Sequence, residues 1–397
     1  MASTCAASAT ETTAGRLAYL DRLKILFVGG VIFGHAWAGY SNFQGAWVYT
    51  DVREATLRPA SAAVLEALLG PFALFAMGMF FLIAGLLTPG SVDRKGPARF
   101  ARDRLVRLGL PLAVFTFLLW PPTAYLLDRL AGTPTGSLWS AFARPDPVQL
   151  WFAEVLLVYS LGYAALRAVR PVRPPRALPA ATRLTLPRLF AVSAAVAATS
   201  FLMRGWFPLN TDGWLGLHLC QWAQYLALFI LGLLAVRHGW LDPVPDRLRR
   251  ACGIVAIAGT LAIAAFALIV AESGASPEEF LGGWNPAALA TAAAEGLLSV
   301  HLAVWLLGTA QRRLTRPPRS PAATRDAFAA FLVQAHVLVV LALAVRPVPA
   351  PAEVKGLVVS LGGVALSFAV GHLLTGLGSR PAGAGAGVSA STDPPPV

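Results

Sequence analysis

Apolar stretches long enough to cross a bilayer recur along the chain, divided by short segments rich in Arg, Pro and Gly. A transmembrane helix needs about 20 largely apolar residues. On that measure the pattern predicts spans at 23–41, 64–88, 105–127, 149–167, 189–203, 216–236, 251–271, 286–309, 327–346 and 354–376. The fifth is the shortest; the others have clear polar or Pro/Gly boundaries. The fold class expected is therefore an all-α polytopic membrane protein of about ten transmembrane helices.

The distribution of positive charge tests this division independently. Loops after even-numbered spans, with the adjoining span ends, hold most of the chain's 32 lysines and arginines. Arg94, Lys95, Arg99, Arg102, Arg104 and Arg107 follow the second span, and similar groups follow the fourth, sixth and eighth. Loops after odd-numbered spans hold few, among them Arg53, Arg129, Arg144 and Arg204. Cytoplasmic loops are enriched in Lys and Arg, so both termini are expected in the cytoplasm and the protein in the cell membrane. A span wrongly added or missed would scramble this alternation.

Composition agrees. The 397 residues are 56% hydrophobic and 13% charged, where soluble domains average about 25% charged. The net charge of +12 is absorbed by loop topology, which removes the case for a nucleic-acid partner. Cys5, Cys220 and Cys252 have neither metal-ligand spacing nor an even count, so no metal site or disulfide framework is expected. Residues 1–15 are small and polar and 377–397 are Gly/Ala/Pro-rich, so both read as disordered tails flanking a membrane domain at 16–376.

Against this apolar background a few ionisable residues stand out. Such groups in a span usually face a cavity or a partner rather than lipid. In the first span, Lys24 and His35 are eleven residues apart, close to three helical turns, and so share a stripe roughly 16 Å long. Asp21 falls near the same stripe. Arg104 and Arg107, three apart at the cytoplasmic start of the third span, form a pair suited either to topological anchoring or to phosphate. Glu154, near the outer end of the fourth span, fits an acceptor contact or a water-interface residue equally. Glu295 and His301 lie on different faces of the eighth span, and burial of Glu295 calls for a function or a partner. His218, Gln221 and Gln224 fit an interface role or the lining of an acceptor pocket.

These residues carry a resemblance to a known family. The chain is similar to the integral-membrane acyltransferase-3 family, and most to its branch of periplasmic-glucan succinyltransferases. Lys24 and His35 match the basic residue, ten positions and histidine of that family's first helix. Phe80-Phe81-Leu82-Ile83-Ala84-Gly85 matches its Phe-Phe-x-x-Ser-Gly element, with Ala84 in place of serine. Arg104-Leu105-Val106-Arg107 matches its Arg-x-x-Arg pair, and the segment from Gln149 its aromatic helix start. A late helix of the form Tyr-x-x-Tyr-Leu-x-His appears here with Phe328, Phe331 and Gln334. Because an amide cannot titrate near neutrality, Gln334 is left outside the expected catalytic set, and His336 turns to another face.

The resemblance implies transfer of an acetyl or succinyl group from cytosolic acyl-CoA, a co-substrate with no resident cofactor, to a hydroxyl. The acceptor would be a carbohydrate, a lipid-linked molecule or a small hydroxylated compound. His35 would act as general base, while Lys24, Arg104 and Arg107 would hold the donor's phosphates, Asp21 would orient Lys24, and Glu154 would help place the acceptor. The rival readings are a small-molecule transporter or flippase and a non-catalytic receptor. No pair of broken helices at matching positions in two halves supports an inverted-repeat carrier, and a receptor leaves the polar stripe without a role.

Overall fold

The computed structural model describes residues 2–42, 47–133, 136–170, 184–209, 218–241, 243–272, 276–316 and 323–377, with side chains of the first helix from residue 18 onward. Of the expected C-terminal tail, 377–397, Leu377 ends the last helix and the rest lies outside the described residues, while residues 2–15 of the expected N-terminal tail belong to the first helix. Among the described residues there are helices and no strands. Ten long helices carry the chain. They are α1 (Ala2–Ala38), α2 (Pro59–Lys95), α3 (Pro97–Leu130), α4 (Val148–Val169), α5 (Leu186–Arg204), α6 (Leu219–His238), α7 (Asp246–Glu272), α8 (Pro286–Arg313), α9 (Ala323–Val345) and α10 (Ala352–Leu377).

Nine of these, α2 to α10, are long and apolar enough to cross a membrane. The tenth, α1, carries Asp21, Arg22 and Lys24 close together and packs along α9 and α10. The protein is thus an all-α multi-pass membrane protein, as the hydropathy pattern led us to expect. Several helices outrun their predicted spans, α1 at its start and α2 and α3 at both ends. Hydropathy reports hydrocarbon thickness, whereas a helix continues until its backbone is stopped. The stops are local. Pro59 and Pro97 sit in first turns, where a missing N–H costs nothing. Gly96, at φ 76°, turns α2 directly into α3, and Asn285 caps α8 by accepting from the Ala288 N–H at 2.8 Å.

Among the described residues three π-turns interrupt the helices. Two lie in α3, at Leu105–Gly109 and Phe115–Leu119, and each is followed within two residues by a proline, Pro111 and Pro121. A proline ring clashes with the carbonyl four residues earlier; widening the turn relieves that clash and passes the bond to the i−5 carbonyl, as Leu110 N–H to Leu105 O shows. The third, Leu298–Leu302 in α8, contains His301.

Helices α2 and α6 approach each other backbone to backbone. A Cβ built on Gly85 would fall 2.2 Å from the Phe229 carbonyl, and one on Gly232 would fall 2.5 Å from the Leu82 carbonyl. The glycine of the Phe-Phe-x-x-Ala-Gly element is therefore a backbone-to-backbone contact, and small residues at such crossings are a membrane packing device. Its Phe81 is fully buried and stacks on Tyr225 of α6 at 4.7 Å. Gly85→Val should destabilise the protein by about 1–3 kcal/mol or more, since a backbone neighbour cannot rotate aside. A thermal melt in detergent checks this, and an unchanged melting temperature would refute the contact.

Candidate active site

His35 lies one turn from the C-terminal end of α1, at the far end of its apolar stretch from Lys24. Two elements hold its ring. From α9, Gln334 is fully buried and donates its amide NH2 to the Phe331 carbonyl at 3.3 Å. That contact fixes the amide, so Oε1 is turned to His35 and accepts from Nδ1–H at 3.1 Å. The imidazole is thereby held as the Nδ1–H tautomer, with the Nε2 lone pair uncommitted to Gln334. From the segment after α1, Trp47 lies flat on the ring, with centroids 3.9 Å apart and planes 9° from parallel.

Trp47 is itself pinned through its loop. Tyr49 donates to Glu54 at 2.8 Å, and Lys355 of α10 reaches the other Glu54 oxygen at 2.6 Å. Burial alone would raise the Glu54 pKa, but the bonds from Lys355 and Tyr49 outweigh it and hold the carboxyl below the usual range. The Leu57 N–H closes the loop onto the Tyr40 carbonyl at 3.1 Å.

His35 opens onto a cavity of about 410 Å³ between α1, the first half of α2, and the starts of α4 and α6. Trp37, Phe72, Trp151 and Tyr225 contribute aromatic walls, and Ser41, Glu66 and Gln221 contribute polar groups. Tyr225 donates to Gln221 at 2.8 Å, which fixes both. Two non-glycine residues with positive φ among the described residues, Val148 at 47° and His218 at 45°, start the helices that deliver Trp151 and Gln221. Strain of this kind, of order 1–3 kcal/mol, persists where the surroundings over-determine the backbone, often at functional sites. Gln149 ties the same region to α9 by donating to the Leu332 carbonyl at 3.1 Å.

The other residues singled out in the sequence fall elsewhere. Lys24 pairs with Asp21 at 3.1 Å, as expected, but neither lines the cavity. Arg104 lies over the Phe100 ring at 4.9 Å and Arg107 is exposed, with a π-turn starting between them. Neither forms an ion pair among the described residues. Glu154, half-buried one turn along α4 from Trp151, also has no ion-pair partner there and does not line the cavity. Of the residues near the start of α6, Gln221 lines the cavity, while Gln224 donates to the Leu74 carbonyl of α2 at 2.7 Å. Glu295 finds its partner in Arg204, a residue counted by sequence as an outer-loop charge; both are fully buried. His301 meets Ser193 of α5 at 3.3 Å, and His336 sits at 3.1 Å from the Leu119 carbonyl.

Three participants were missed by sequence reasoning. Gln334 was set aside because it cannot titrate, although an amide is a competent tautomer anchor. Trp47 had no signal beyond being aromatic. Glu66 had one that could have been used: it is the lone carboxylate in the apolar run from Ala60 to Leu87.

A polytopic helical bundle that holds a hydrogen-bonded histidine beside a cavity between its helices has the architecture that a membrane-embedded enzyme needs. The family model described as an acyltransferase domain, of the acyltransferase-3 type, matches residues 17–376, and the chain belongs to that family. It is a membrane acyltransferase. No curated protein and no solved structure matches the chain.

Proposed function

We propose that the protein takes an acyl group, acetyl or succinyl, from cytosolic acyl-CoA and places it on a hydroxyl of an envelope-associated acceptor, with His35 as general base. The observation that carries this reading is the Gln334 bond, which leaves Nε2 of a neutral imidazole free to accept a proton beside a substrate-sized cavity. The acceptor hydroxyl gives its proton to Nε2 as its oxygen attacks the thioester carbonyl. The tetrahedral intermediate then collapses with loss of the C–S bond, and the proton passes from the imidazolium to the departing thiolate. While the ring is charged, the Trp47 face stabilises it.

With both termini in the cytoplasm, Lys24, Arg104 and Arg107 stand at the inner surface, where they receive the donor's phosphates. Asp21 orients Lys24. The roughly 16 Å from Lys24 to His35 along α1 is the distance the extended arm of CoA crosses. Glu154 stands by the path from the inner surface to the outer cavity, and the acceptor enters from the outer side. In this arrangement the acyl group changes sides of the cell membrane without the donor doing so.

The test uses purified protein in vesicles with radiolabelled acetyl-CoA or succinyl-CoA and host envelope extract. Label covalently attached to an acceptor, dependent on the protein, is the expected result. Label accumulating unchanged inside the vesicles would overturn it in favour of a transporter. Within a working assay, Gln334→Leu should lower kcat roughly tenfold or more, yet less than the about 10²–10⁴ attached to the base itself, with KM little changed. Gln334→Glu, which keeps the acceptor for Nδ1–H, should retain more activity; equal loss in both would sink the tautomer role.

A further inference from the structure

We infer that the cavity beside His35 takes a cationic amphiphile: a hydroxylated molecule with an apolar body and a protonated amine held by Glu66. This rests on the transferase reading only in treating that molecule as the acceptor. At about 410 Å³ the cavity is within the 300–1,000 Å³ range of small-molecule sites. Its walls are built from Leu65, Leu69, Met77 and aromatic rings, with few hydrogen-bonding groups. A bare glycan, hydroxylated all round, would leave most of its polar groups unpaired against such walls, which is costly.

Charge narrows the class further. Among the described residues Glu66 is the one formally charged side chain lining the cavity, and no Lys or Arg joins it. It is exposed, eight residues into α2, in an otherwise apolar run. No described cation pairs with it. A carboxylate in that position repels an anionic acceptor and attracts a cationic one, and the faces of Trp151 and Tyr225 attract a cation as well. Ser41 Oγ, buried at the cavity wall without a hydrogen-bond partner among the described residues, offers a contact for a hydroxyl.

The experiment is equilibrium binding to the full chain in lipid nanodiscs, without acyl donor. The probes are tritiated octyl 2-amino-2-deoxy-β-glucoside, at a pH where its amine is protonated, and octyl β-glucoside, both below micelle formation and corrected against empty discs. Wild type should prefer the amine at least tenfold. Glu66→Gln should lose that preference, with its size-exclusion profile and melting temperature reporting that it is folded. Glu66→Asp should keep most of the preference. Equal affinities in wild type, or an undiminished preference in Glu66→Gln, would overturn the inference. Adding labelled acetyl-CoA separates the two claims. A Glu66-dependent preference without transfer would leave the cation site standing and count against the transferase reading; transfer to both glycosides with no preference would do the reverse.

Discussion

His35→Ala should leave a folded protein whose acyl transfer is slower by about 10²–10⁴-fold, the usual contribution of a positioned general base. The fold survives because the change removes one hydrogen bond, to Gln334, and one ring contact, to Trp47, while the Glu54–Lys355 pair still anchors the loop. A net loss of about 0.5–1.5 kcal/mol for such a bond is within the reserve of most domains. His35→Asn separates the roles more sharply. An asparagine amide can still donate to Gln334, but it has no lone pair able to take a proton near neutrality. If His35 is the base, both variants lose kcat, bind acceptor with little change, and lose the acid limb of the pH–rate profile that a titrating imidazole imposes. Near-normal transfer by His35→Asn would refute the proton-transfer role and reduce the histidine to a positioning element. The comparison is read from initial rates over a pH series, with size-exclusion profiles and melting temperatures alongside.

The parts of the molecule that hydropathy governs were legible in the sequence. The membrane spans appear as apolar runs because lipid forces every backbone group to bond within its own segment. The histidine was legible because an ionisable group in such a run is costly. What could not be read was pairing across the bundle. Gln334 is 299 residues from His35, and Arg204 is 91 residues from Glu295. Helix packing, not periodicity, brings them together. A preference for titratable groups also misled: it passed over Gln334, whose value is that it keeps the same donor and acceptor at every pH. Helix lengths were underestimated for a related reason. The ends of α2 and α3 reach Lys95 and Pro97, past the apolar core, because one glycine with positive φ serves as the entire connection.

The stripe on α1 takes on a different meaning once the bundle is in view. Lys24 and His35 do not meet; one stands at each end of the apolar stretch, and α1 contributes residues to two separate clusters of buried apolar side chains, Leu20, Leu23 and Phe27 to one and Val28, Val31 and Ile32 to the other. The helix therefore acts as a spine with a charged group, Lys24, at one end and the imidazole of His35 at the other. That separation suits a donor that is anionic at its nucleotide and neutral at its thioester. It also places the carboxylate of Glu66 at the end where the donor's phosphates would not go.

Arg204→Met should destabilise the protein by about 3–5 kcal/mol, the effect of leaving one member of a buried ion pair alone. Arg204 ends α5, Glu295 lies in α8, and neither side chain has any exposed surface. Around them the two helices are nearly in backbone contact. A Cβ on Gly296 would come within 2.3 Å of the Ser193 carbonyl, and the Gly283 N–H bonds the Arg204 carbonyl at 3.1 Å. With the helices fixed at that distance, a solitary Glu295 has no route to water. Glu295→Leu alone should cost a similar amount, by stranding the guanidinium. The double variant Arg204→Met/Glu295→Leu should recover most of the loss, because apolar groups of similar volume often replace a buried pair with little net change. Denaturant or thermal unfolding in detergent, run as a double-mutant cycle, measures the coupling directly. Additive losses would mean that the pair is not an energetic unit. Activity of the double variant carries a second message. Helix α5, which ends at Arg204, packs against the start of α6 at Leu219–Gln221, and Gln221 forms part of the cavity wall together with Tyr225, which donates to it. A stable double variant with normal kcat would make the pair a helix clamp and nothing more. A stable one with raised KM and unchanged kcat would mean that the pair also sets the shape of the wall against which the acceptor lies.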